Sequence, residues 1–382
     1  MSGTNGSTRP RDVLVAMSGG VDSSVAAALL VSEGYNVVGV TLKLWGGLGD
    51  SGCCSVADVE DARRVAQQLS IDHHVFNFGD DFNRFVVDPY VADHQSGRTP
   101  NPCVECNRHI KFDKLFRRAD ALGFDLVATG HHARIVTSTD GRRWIGRGAD
   151  AGKDQSYVLH MLDQTQLGRL LFPVGELTKD RVRALADELG LRTANKPDSQ
   201  DVCFIHSVGG RQVFLGDRIP LRPAVVVDDA GAEVGTLESI EVVTLGQRRG
   251  LNVGGNPDRR YVTDIDHQAA RVTIGPRRDL LVEAQRVENV DWAHQPVHGP
   301  CRVQCSAHGS VRVGRIEAGE RPDRVIVVWD QPQQLVAVGQ SMVFYRRHGG
   351  PDRDGTALDG TALDDTVLGG GVAAAVVASN GR

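Results

Sequence analysis

The sequence has no long apolar run, no excess of positive charge and no cysteine pattern typical of a secreted protein. Its longest apolar stretch, residues 367–378, is broken by three glycines, whereas a membrane-spanning helix needs about 20 apolar residues. The first eleven residues are polar and lack the apolar core of a secretory signal. The seven cysteines, an odd number, do not suggest a disulfide framework. We therefore expect a cytoplasmic protein without membrane association, whose thiols are core residues, metal ligands or reactive groups.

The composition is that of an ordinary globular protein, with 41% hydrophobic and 24% charged residues. The 382 residues predict two or three domains. Lys and Arg number 43 against 48 Asp and Glu, which leaves a formal net charge of −5. Overall charge neither indicates nor excludes a polyanionic partner, because such binding depends on local patches.

The first half of the chain alternates strand-like apolar runs with helical patterns, which is typical of a parallel sheet covered by helices. Strands are predicted over residues 13–17, 37–44, 74–78 and 126–129. Helices are predicted over residues 23–32 and 56–69, and a later one between an N-cap at Thr178 and a stop at Gly190. This pattern predicts an α/β domain with a doubly wound parallel sheet over residues 12–208.

Beyond about residue 209 the chain changes to short β-rich runs with frequent Gly, Pro and Asp, as at residues 223–227, 271–274 and 324–329. We predict a central β-rich domain over residues 209–283 and a C-terminal β-barrel-like domain over residues 284–382. Residues 354–365 repeat Gly-Thr-Ala-Leu-Asp, and we interpret them as a flexible insertion without chemistry of its own.

The most informative local pattern is Val-Leu-Val-Ala-Met-Ser-Gly-Gly-Val-Asp-Ser-Ser at residues 13–24, an apolar strand that turns into a helix. Such a turn points backbone N–H groups and the positive helix end at an anion. Ser18, Ser23 and Ser24 add hydroxyl donors, and Asp22 could reach a metal carried by a nucleotide. No Walker motif occurs. The string resembles the PP-loop of ATP pyrophosphatases, which implies cleavage between the α and β phosphates of ATP; a plain strand-to-helix turn is the alternative.

Cysteines mark two further segments of the sequence. Cys103 and Cys106 follow a Pro-Asn-Pro turn, and residues 98–118 hold six Arg or Lys against two acids. Positive charge lowers the pKa of a thiol and attracts a phosphate backbone, although a solvated helix face is the plainer interpretation of the charges alone. Cys203 lies before Phe-Ile, and a lone cysteine is as often a small core residue.

Six blocks of the sequence closely resemble the tRNA-specific 2-thiouridylase family (MnmA/TrmU), in the family's order and over nearly the whole chain. They are the loop at residues 18–23 and the segments at 100–107, 129–132, 153–157, 198–205 and 245–251. The resemblance implies an adenine nucleotide α hydrolase-like fold for the first domain. It also implies an ATP-dependent tRNA-uridine 2-sulfurtransferase, in which ATP adenylates the C2 oxygen of the wobble uridine and protein-bound sulfur then attacks C2.

The resemblance also implies roles for individual residues. Cys203 carries a persulfide received from an upstream sulfur donor protein, and Cys106 helps to release the sulfur, with a Cys106–Cys203 disulfide as one outcome. ATP, with Mg²⁺, contacts Ala16, Met17, Ser18, Gly19, Gly20, Val21, Asp22, Ser23, Leu42 and Gly130. The target base and the rest of the tRNA contact Asn101, Pro102, Cys103, His131, Lys153, Asp154, Gln155, Ala307, His308 and Gln340.

Cys103 departs from the family pattern, because many members have Asp at this position. The change puts any acid–base or orienting role of that carboxylate in doubt. Cys103, Cys106 and Cys203 could instead hold a 4Fe–4S cluster by three of its irons, with the fourth iron open to bind sulfide. Some related tRNA thiolases use such a cluster. Persulfide chemistry and cluster chemistry are therefore alternative expectations.

The sequence also allows two other classes of function. A PP-loop ligase or amidotransferase shares the ATP half of the site but needs neither a cysteine pair nor an RNA-binding module. A non-catalytic sulfur carrier or RNA-binding protein predicts no tRNA-dependent release of pyrophosphate. The other four cysteines are not given catalytic roles: we interpret Cys53 and Cys54 as part of a lid, and Cys301 and Cys305 as core residues of a β module.

Overall fold

The computed structural model of the chain describes residues 10–44, 55–198, 202–206, 209–251, 253, 259–347 and 363–376. The lid predicted around Cys53 and Cys54, and most of the insertion predicted at residues 354–365, lie outside these residues. Among the described residues, no helix has the length and apolar character needed to cross a membrane.

The predicted parallel sheet is present in the first half of the chain. The strands there are β1 (Asp12–Ala16), β2 (Asn36–Lys43), β3 (Asp72–Asn77), β4 (Leu126–Thr129), β5 (Ala133–Thr137), β6 (Arg143–Arg147) and β7 (Leu170–Leu171). Five of them form a sheet in the order β3-β2-β1-β4-β7, while β5 and β6 form a separate hairpin. The order reverses between β1 and β4, and doubly wound sheets bind ligands at the carboxyl ends of strands at such a point.

Helices flank this sheet, and some of them begin at side-chain caps. They are α1 (Val21–Ser32), α2 (Val56–Gln68), α3 (Gly79–Phe82), α4 (Asp88–Gln95), α5 (Pro102–Glu105), α6 (Leu115–Leu122), α7 (Gln164–Leu167) and α8 (Lys179–Glu188). A capping box between Ser55 and Asp58 starts α2. The predicted N-cap of α8 is confirmed, since Oγ1 of Thr178 accepts the backbone N–H of Arg181. Wide π-helical turns join α3 to α4 and α5 to α6.

Strand β1 is buried on both sides, which explains its unbroken apolar sequence. Successive side chains of a strand point to opposite faces. Leu14 packs in one apolar cluster, together with Leu42 of β2. Val13 and Val15 pack in a second cluster, together with residues of α1 and α8. The core of the first domain is therefore two apolar layers with the parallel sheet between them.

A smaller sheet follows two short helices, α9 (Cys203–His206) and α10 (Arg211–Gly216). Its strands are β8 (Ala224–Val227), β9 (Glu233–Leu237), β10 (Tyr261–Asp266) and β11 (Arg271–Gly275), in the order β10-β11-β8-β9. Val226, Val262 and Val272 are fully buried in its core. The strands predicted at residues 223–227 and 271–274 are confirmed as β8 and β11.

The last third of the chain closes into a barrel, as predicted. Its strands are β12 (Leu281–Trp292), β13 (Gly299–Gln304), β14 (Arg312–Ala318), β15 (Val325–Gln334), β16 (Ser341–Arg346) and β17 (Val367–Val376). Because β12 pairs with both β15 and β17, the barrel has no open edge. Cys301 and Cys305 are buried in the barrel core, which confirms their interpretation as packing residues.

The barrel packs against the first domain beside the segment that carries Cys106. The hydroxyl of Tyr157 donates to the carbonyl of Ser341 over 2.9 Å. The guanidinium of Arg108, two residues after Cys106, contacts the carboxylate of Asp291 in β12 at 2.7 Å. The barrel is therefore attached to the same part of the first domain that holds the predicted sulfur chemistry.

Candidate functional site

The loop between β1 and α1 is built for close approach of an anion. Gly19 has a φ of +72°, a backbone conformation that glycine adopts without steric penalty. A Cβ at this position would lie 2.2 Å from the carbonyl oxygen of Asp58, at the start of α2. Gly20 is the N-cap of α1 and has no side chain to cap the helix. The first N–H groups of α1 are therefore available to a phosphate.

Serine hydroxyls hold the shape of this loop. Oγ of Ser23 accepts the backbone N–H of Ser18 at 3.1 Å. The hydroxyl of Ser24 donates to the carbonyl oxygen of Gly20 at 2.8 Å, and that of Ser23 donates to the same oxygen at 3.2 Å. These bonds fix the loop in an open turn around its backbone N–H groups.

The loop after β4 lies directly against the start of α1. A Cβ on Gly130 would be 2.5 Å from the backbone nitrogen of Ser23, so only glycine fits here without displacement. Leu42 lies near the carboxyl end of β2. The N–H of Met17, just after β1, donates to the carbonyl oxygen of Val40 in β2 at 2.8 Å. The ten residues predicted to contact ATP therefore lie together at the carboxyl ends of β1, β2 and β4, or in the loop and helix that follow β1.

Asp22, in the first turn of α1, is held by two cationic or polar side chains. Nζ of Lys179 lies 2.7 Å from both carboxylate oxygens, and Nε2 of His132 lies 3.1 Å from one of them. Burial raises the pKa of Asp22, but the hydrogen bonds from His132 and Lys179 and the charge of Lys179 outweigh it and leave the pKa below its ordinary value. Asp22 is therefore an ionised carboxylate beside the phosphate loop.

Lys179 also holds a second carboxylate. Its Nζ lies 2.9 Å from Oδ1 of Asp198, whose other partners are Nζ of Lys153 at 2.8 Å and a guanidinium nitrogen of Arg183 at 2.8 Å. Burial raises the pKa of Asp198, but the hydrogen bonds and charges of Lys153 and Lys179 lower it to about 2. A chain of ion pairs thus runs from Asp22 through Lys179 to Asp198 and Lys153.

Sequence reasoning missed Lys179 and Arg183 and gave Asp198 no role. Lys179 follows the N-cap Thr178 directly and has the sequence context of an ordinary helix start. Asp198 lies within the segment that carries Cys203, but its cationic partners are distant in the sequence. Charge patterns within one helix cannot reveal such partners.

The two predicted catalytic cysteines contact the same extended apolar cluster, although 97 residues separate them in the sequence. Cys106 is buried at the start of the π-helical segment after α5 and belongs to the apolar cluster that includes Leu14. Cys203 is partly buried at the start of α9 and packs against the same cluster. The next residue, Phe204, anchors α9 because its ring contacts Phe82 at 5.7 Å between centroids.

The expected iron–sulfur ligand set is not assembled in the described part of the chain. An iron–sulfur cluster needs its thiolate ligands close together around it. Within the described residues no three Cys, His, Asp or Glu side chains are grouped in a way that could hold a metal ion. Cys103, Cys106 and Cys203 as arranged therefore do not fit the cluster.

The segment predicted to meet the target base is held by the barrel. Asn101 is the N-cap of α5, and its Oδ1 accepts the N–H of Cys103 at 3.2 Å. Pro102 follows at the first helical position, which suits proline. Nε2 of Gln340 donates to the carbonyl of Thr99 at 2.7 Å. Cys103 itself is exposed. The structure thus brings Gln340 to the segment that contains Asn101, Pro102 and Cys103.

Three of the other residues predicted to contact tRNA are engaged inside the protein. His131 is buried, contacts Oγ1 of Thr129 at 2.7 Å, and has a pKa well below its ordinary value because of burial. Asp154 is buried and accepts a hydrogen bond from Arg147 at 2.7 Å. Oε1 of Gln155 accepts the N–H of His132 at 2.9 Å. The hydrogen bonds of Asp154 and Gln155 hold the conformation of the loop that contains Lys153.

The predicted contacts Ala307 and His308 lie on an exposed turn after β13. Nε2 of Gln304 donates to the carbonyl of Ala307 at 3.0 Å, and its Oε1 accepts from Arg147 at 2.9 Å. Arg147 also contacts Asp154, so it connects this turn of the barrel to the segment that carries Lys153. The structure thereby links two sets of predicted tRNA contacts from opposite ends of the sequence.

The basic run at residues 98–118 is largely compensated by acids. Ion pairs join Arg98 to Asp93, Arg108 to Asp291, Lys114 to Asp81 and Arg117 to Asp113. The net positive charge of this face is therefore smaller than the sequence suggests. Arg248 and Arg249, in the central domain, are exposed on a turn.

Comparison with known proteins matches two family models to the chain. The tRNA methyl transferase HUP domain matches residues 11–207, and the tRNA methyl transferase PRC-barrel domain matches residues 212–276. The chain is 47% identical to a protein of Mycobacteroides abscessus named tRNA-specific 2-thiouridylase MnmA, over 90% of this chain and 96% of that protein. It is 44% identical to the protein of the same name from Chloroflexus aurantiacus, over 88% of this chain and 95% of that protein.

Among solved structures, the chain resembles a U34-tRNA thiolase NcsA from Methanococcus maripaludis, determined with its 4Fe–4S cluster. The identity is 18% and the TM-score 0.34, over 52% of this chain and 64% of that one. This likeness is too low to bear on the chemistry of the site.

Proposed function

This chain belongs to the tRNA-specific 2-thiouridylase (MnmA) family of tRNA sulfurtransferases, and we propose that it thiolates C2 of the wobble uridine of tRNA in an ATP-dependent reaction. Residues 12–208 are proposed to carry the chemistry and residues 284–382 to bind the tRNA, with residues 209–283 as a central β-rich domain between them. The site of action is the cytoplasm, where tRNA is available.

The first half of the proposed reaction is adenylation. The C2 oxygen of the uridine attacks the α-phosphorus of ATP, the bond from that phosphorus to the bridging oxygen breaks, and pyrophosphate leaves. The loop at residues 18–20 and the start of α1 are placed to hold the phosphates, and Asp22 is ionised and able to bind the Mg²⁺ of the nucleotide. Adenylation is needed because an oxygen leaves C2 readily only as part of a phosphate.

The second half is sulfur transfer. The terminal sulfur of a persulfide on Cys203, supplied by an upstream donor protein, attacks C2, and the C2–O bond breaks to release AMP. The thiolate of Cys106 then attacks Sγ of Cys203, and the electron pair of the broken S–S bond remains on the sulfur at C2. This step leaves a Cys106–Cys203 disulfide, which a thiol reductant must reduce by two electrons before the next cycle.

One observation favours this function over the two alternative functions. Cys106 and Cys203 pack in the same apolar cluster. Leu14 of β1 belongs to that cluster, and β1 leads directly into the phosphate loop. A PP-loop ligase or amidotransferase has no need for two cysteines in this position. A sulfur carrier has no need for the phosphate loop.

The proposal is tested with purified protein, ATP, bulk tRNA and a persulfide donor, followed by digestion of the tRNA and analysis of its nucleosides. We expect 2-thiouridine in the wild-type reaction and none with Cys203→Ser, whereas Cys301→Ser retains the product because Cys301 lies in the barrel core. Undiminished product with Cys203→Ser would contradict the assigned mechanism. Iron analysis of anaerobically purified protein, together with its visible absorption, tests the cluster alternative independently.

A further inference from the structure

Lys179 joins the phosphate loop to the segment that precedes Cys203. Its Nζ lies 2.7 Å from Asp22, in the first turn of α1, and 2.9 Å from Asp198. These two carboxylates come from distant parts of the sequence, so the ammonium group is a physical link between the ATP side and the sulfur side of the proposed site.

Lys179 is a firm anchor for such a link. Only 9% of its side chain is exposed, and it occupies the first position of α8. Its backbone N–H donates to Oδ2 of Asp150 at 2.9 Å. Helix α8 in turn packs beside α1, through the cluster that contains Val182 and Val25. The position of the ammonium group is therefore set by the same core that sets the phosphate loop.

Asp198 is held from three directions. Besides Lys179, its carboxylate contacts Lys153 and Arg183, both at 2.8 Å. The chain just before it is also fixed, since Lys196 contacts Asp58 at 2.6 Å. Asp198 lies five residues before Cys203, and five residues of chain span at most about 18 Å. Beyond Cys203, Phe204 is anchored in the apolar cluster.

We propose that Asp198 is a positioning residue, which acts through Lys179 to place Cys203 relative to the phosphate loop for the sulfur-transfer step. Lys153, a predicted tRNA contact, forms an ion pair with the same carboxylate. A predicted tRNA-binding residue is therefore connected to Lys179 and Asp22 through Asp198. This inference rests on the proposed function. Its physical basis is that the persulfide must reach C2 of a base whose C2 oxygen has been activated at the loop.

The experiment is a single-turnover reaction with persulfide-loaded enzyme in excess over tRNA, in which pyrophosphate and 2-thiouridine are followed in time. In wild type the two products should rise together, one of each per modified tRNA. With Asp198→Asn we expect 2-thiouridine to lag far behind pyrophosphate, because a misplacement of about 1 Å slows a reaction by about a hundredfold. Asp187→Asn, an exposed acid on α8, is the matched control and should keep the two products together.

Asp198→Glu provides a second variant that keeps the charge and moves the carboxylate by one methylene. We expect the same lag to a smaller extent, with the thermal unfolding temperature near that of wild type. If pyrophosphate and 2-thiouridine fall in parallel in both variants, Asp198 serves the ATP site alone and the inference is wrong. If pyrophosphate and 2-thiouridine rise together at the wild-type rate in both variants, the inference is also wrong. Absence of 2-thiouridine from the wild-type reaction would overturn the proposed function and this inference with it.

Discussion

Gln340, in the turn before barrel strand β16, donates a hydrogen bond from Nε2 to the carbonyl oxygen of Thr99 at 2.7 Å. The reciprocal contact runs from the N–H of Thr99 to the carbonyl of Val338 at 2.8 Å. Thr99 lies two residues before Asn101, the N-cap of the helix that carries Cys103. The barrel thus holds the segment that we expect to meet the target base.

The first prediction concerns this contact. Gln340→Ala removes the bond to Thr99 and should lower the free energy of unfolding by about 1 kcal/mol. We expect the KM for tRNA to rise by about tenfold or less, with the KM for ATP unchanged, because the lost bond holds the segment expected to meet the target base. Steady-state kinetics with each substrate varied in turn measures the two constants.

Gln331→Ala is the control for that variant, since Gln331 is exposed on β15 of the same barrel. Its KM for tRNA should match that of wild type. An equal rise in both variants would show that Gln340 has no special relation to the segment at Thr99.

The second prediction separates backbone strain from steric contact in the phosphate loop. Gly19 and Gly34 both have positive φ, at +72° and +85°. A Cβ on Gly19 meets the carbonyl of Asp58, whereas nothing lies within 4 Å of a Cβ on Gly34. Gly34→Ala should therefore cost only the strain of about 1 kcal/mol and leave the KM for ATP unchanged. Gly19→Ala should displace the loop and weaken ATP binding by at least about tenfold. Equal ATP affinities in the two variants would refute this prediction.

The third prediction concerns acid stability. Asp198 has a pKa of about 2 in the folded protein, below the ordinary value of 3.8. A lowered carboxyl pKa stabilises the fold above the ordinary value, and the contribution is lost as pH falls toward the folded pKa. The difference in unfolding free energy between wild type and Asp198→Asn should therefore be constant near neutral pH and shrink between about pH 4 and about pH 2. Urea titrations across this pH range measure it; a difference that grows with acid would have the wrong sign.

The fourth prediction concerns thiol reactivity. Burial raises the pKa of Cys301 to about 12 and that of Cys305 to about 11, so both are unreactive thiols at neutral pH. Cys103 is exposed. Brief treatment of native protein with iodoacetamide, followed by peptide mass spectrometry, should label Cys103 and leave the two barrel cysteines unmodified. Labelling of Cys301 as fast as Cys103 would contradict the buried placement.

Much of the fold could be predicted because its signals are local. The apolar run at residues 13–17 and the Gly-Gly turn define β1 and the phosphate loop within a few residues of each other. The cap at Thr178 likewise defines the start of α8. The resemblance to the family then identified the roles of the cysteines and of the contact residues, which no local sequence pattern could have connected.

The ion pairs of the site could not be predicted in this way. Lys179 and Asp22 are 157 residues apart, and the packing of α8 against α1 brings them together. Arg147 likewise has a partner distant in the sequence, because it joins Asp154 to Gln304 across the contact with the barrel. For the basic run at residues 98–118, the sequence overestimates the positive charge. Acids from elsewhere in the chain, such as Asp291 and Asp81, form ion pairs with bases that look unopposed in the sequence.

In the proposed reaction, ATP activates the C2 oxygen of the uridine before sulfur replaces it. The most direct measurement uses tRNA with ¹⁸O at C2 of the wobble uridine and mass spectrometry of the AMP released. We predict that the AMP carries the ¹⁸O label in proportion to the 2-thiouridine formed. Unlabelled AMP, with 2-thiouridine present, would contradict adenylation of the C2 oxygen.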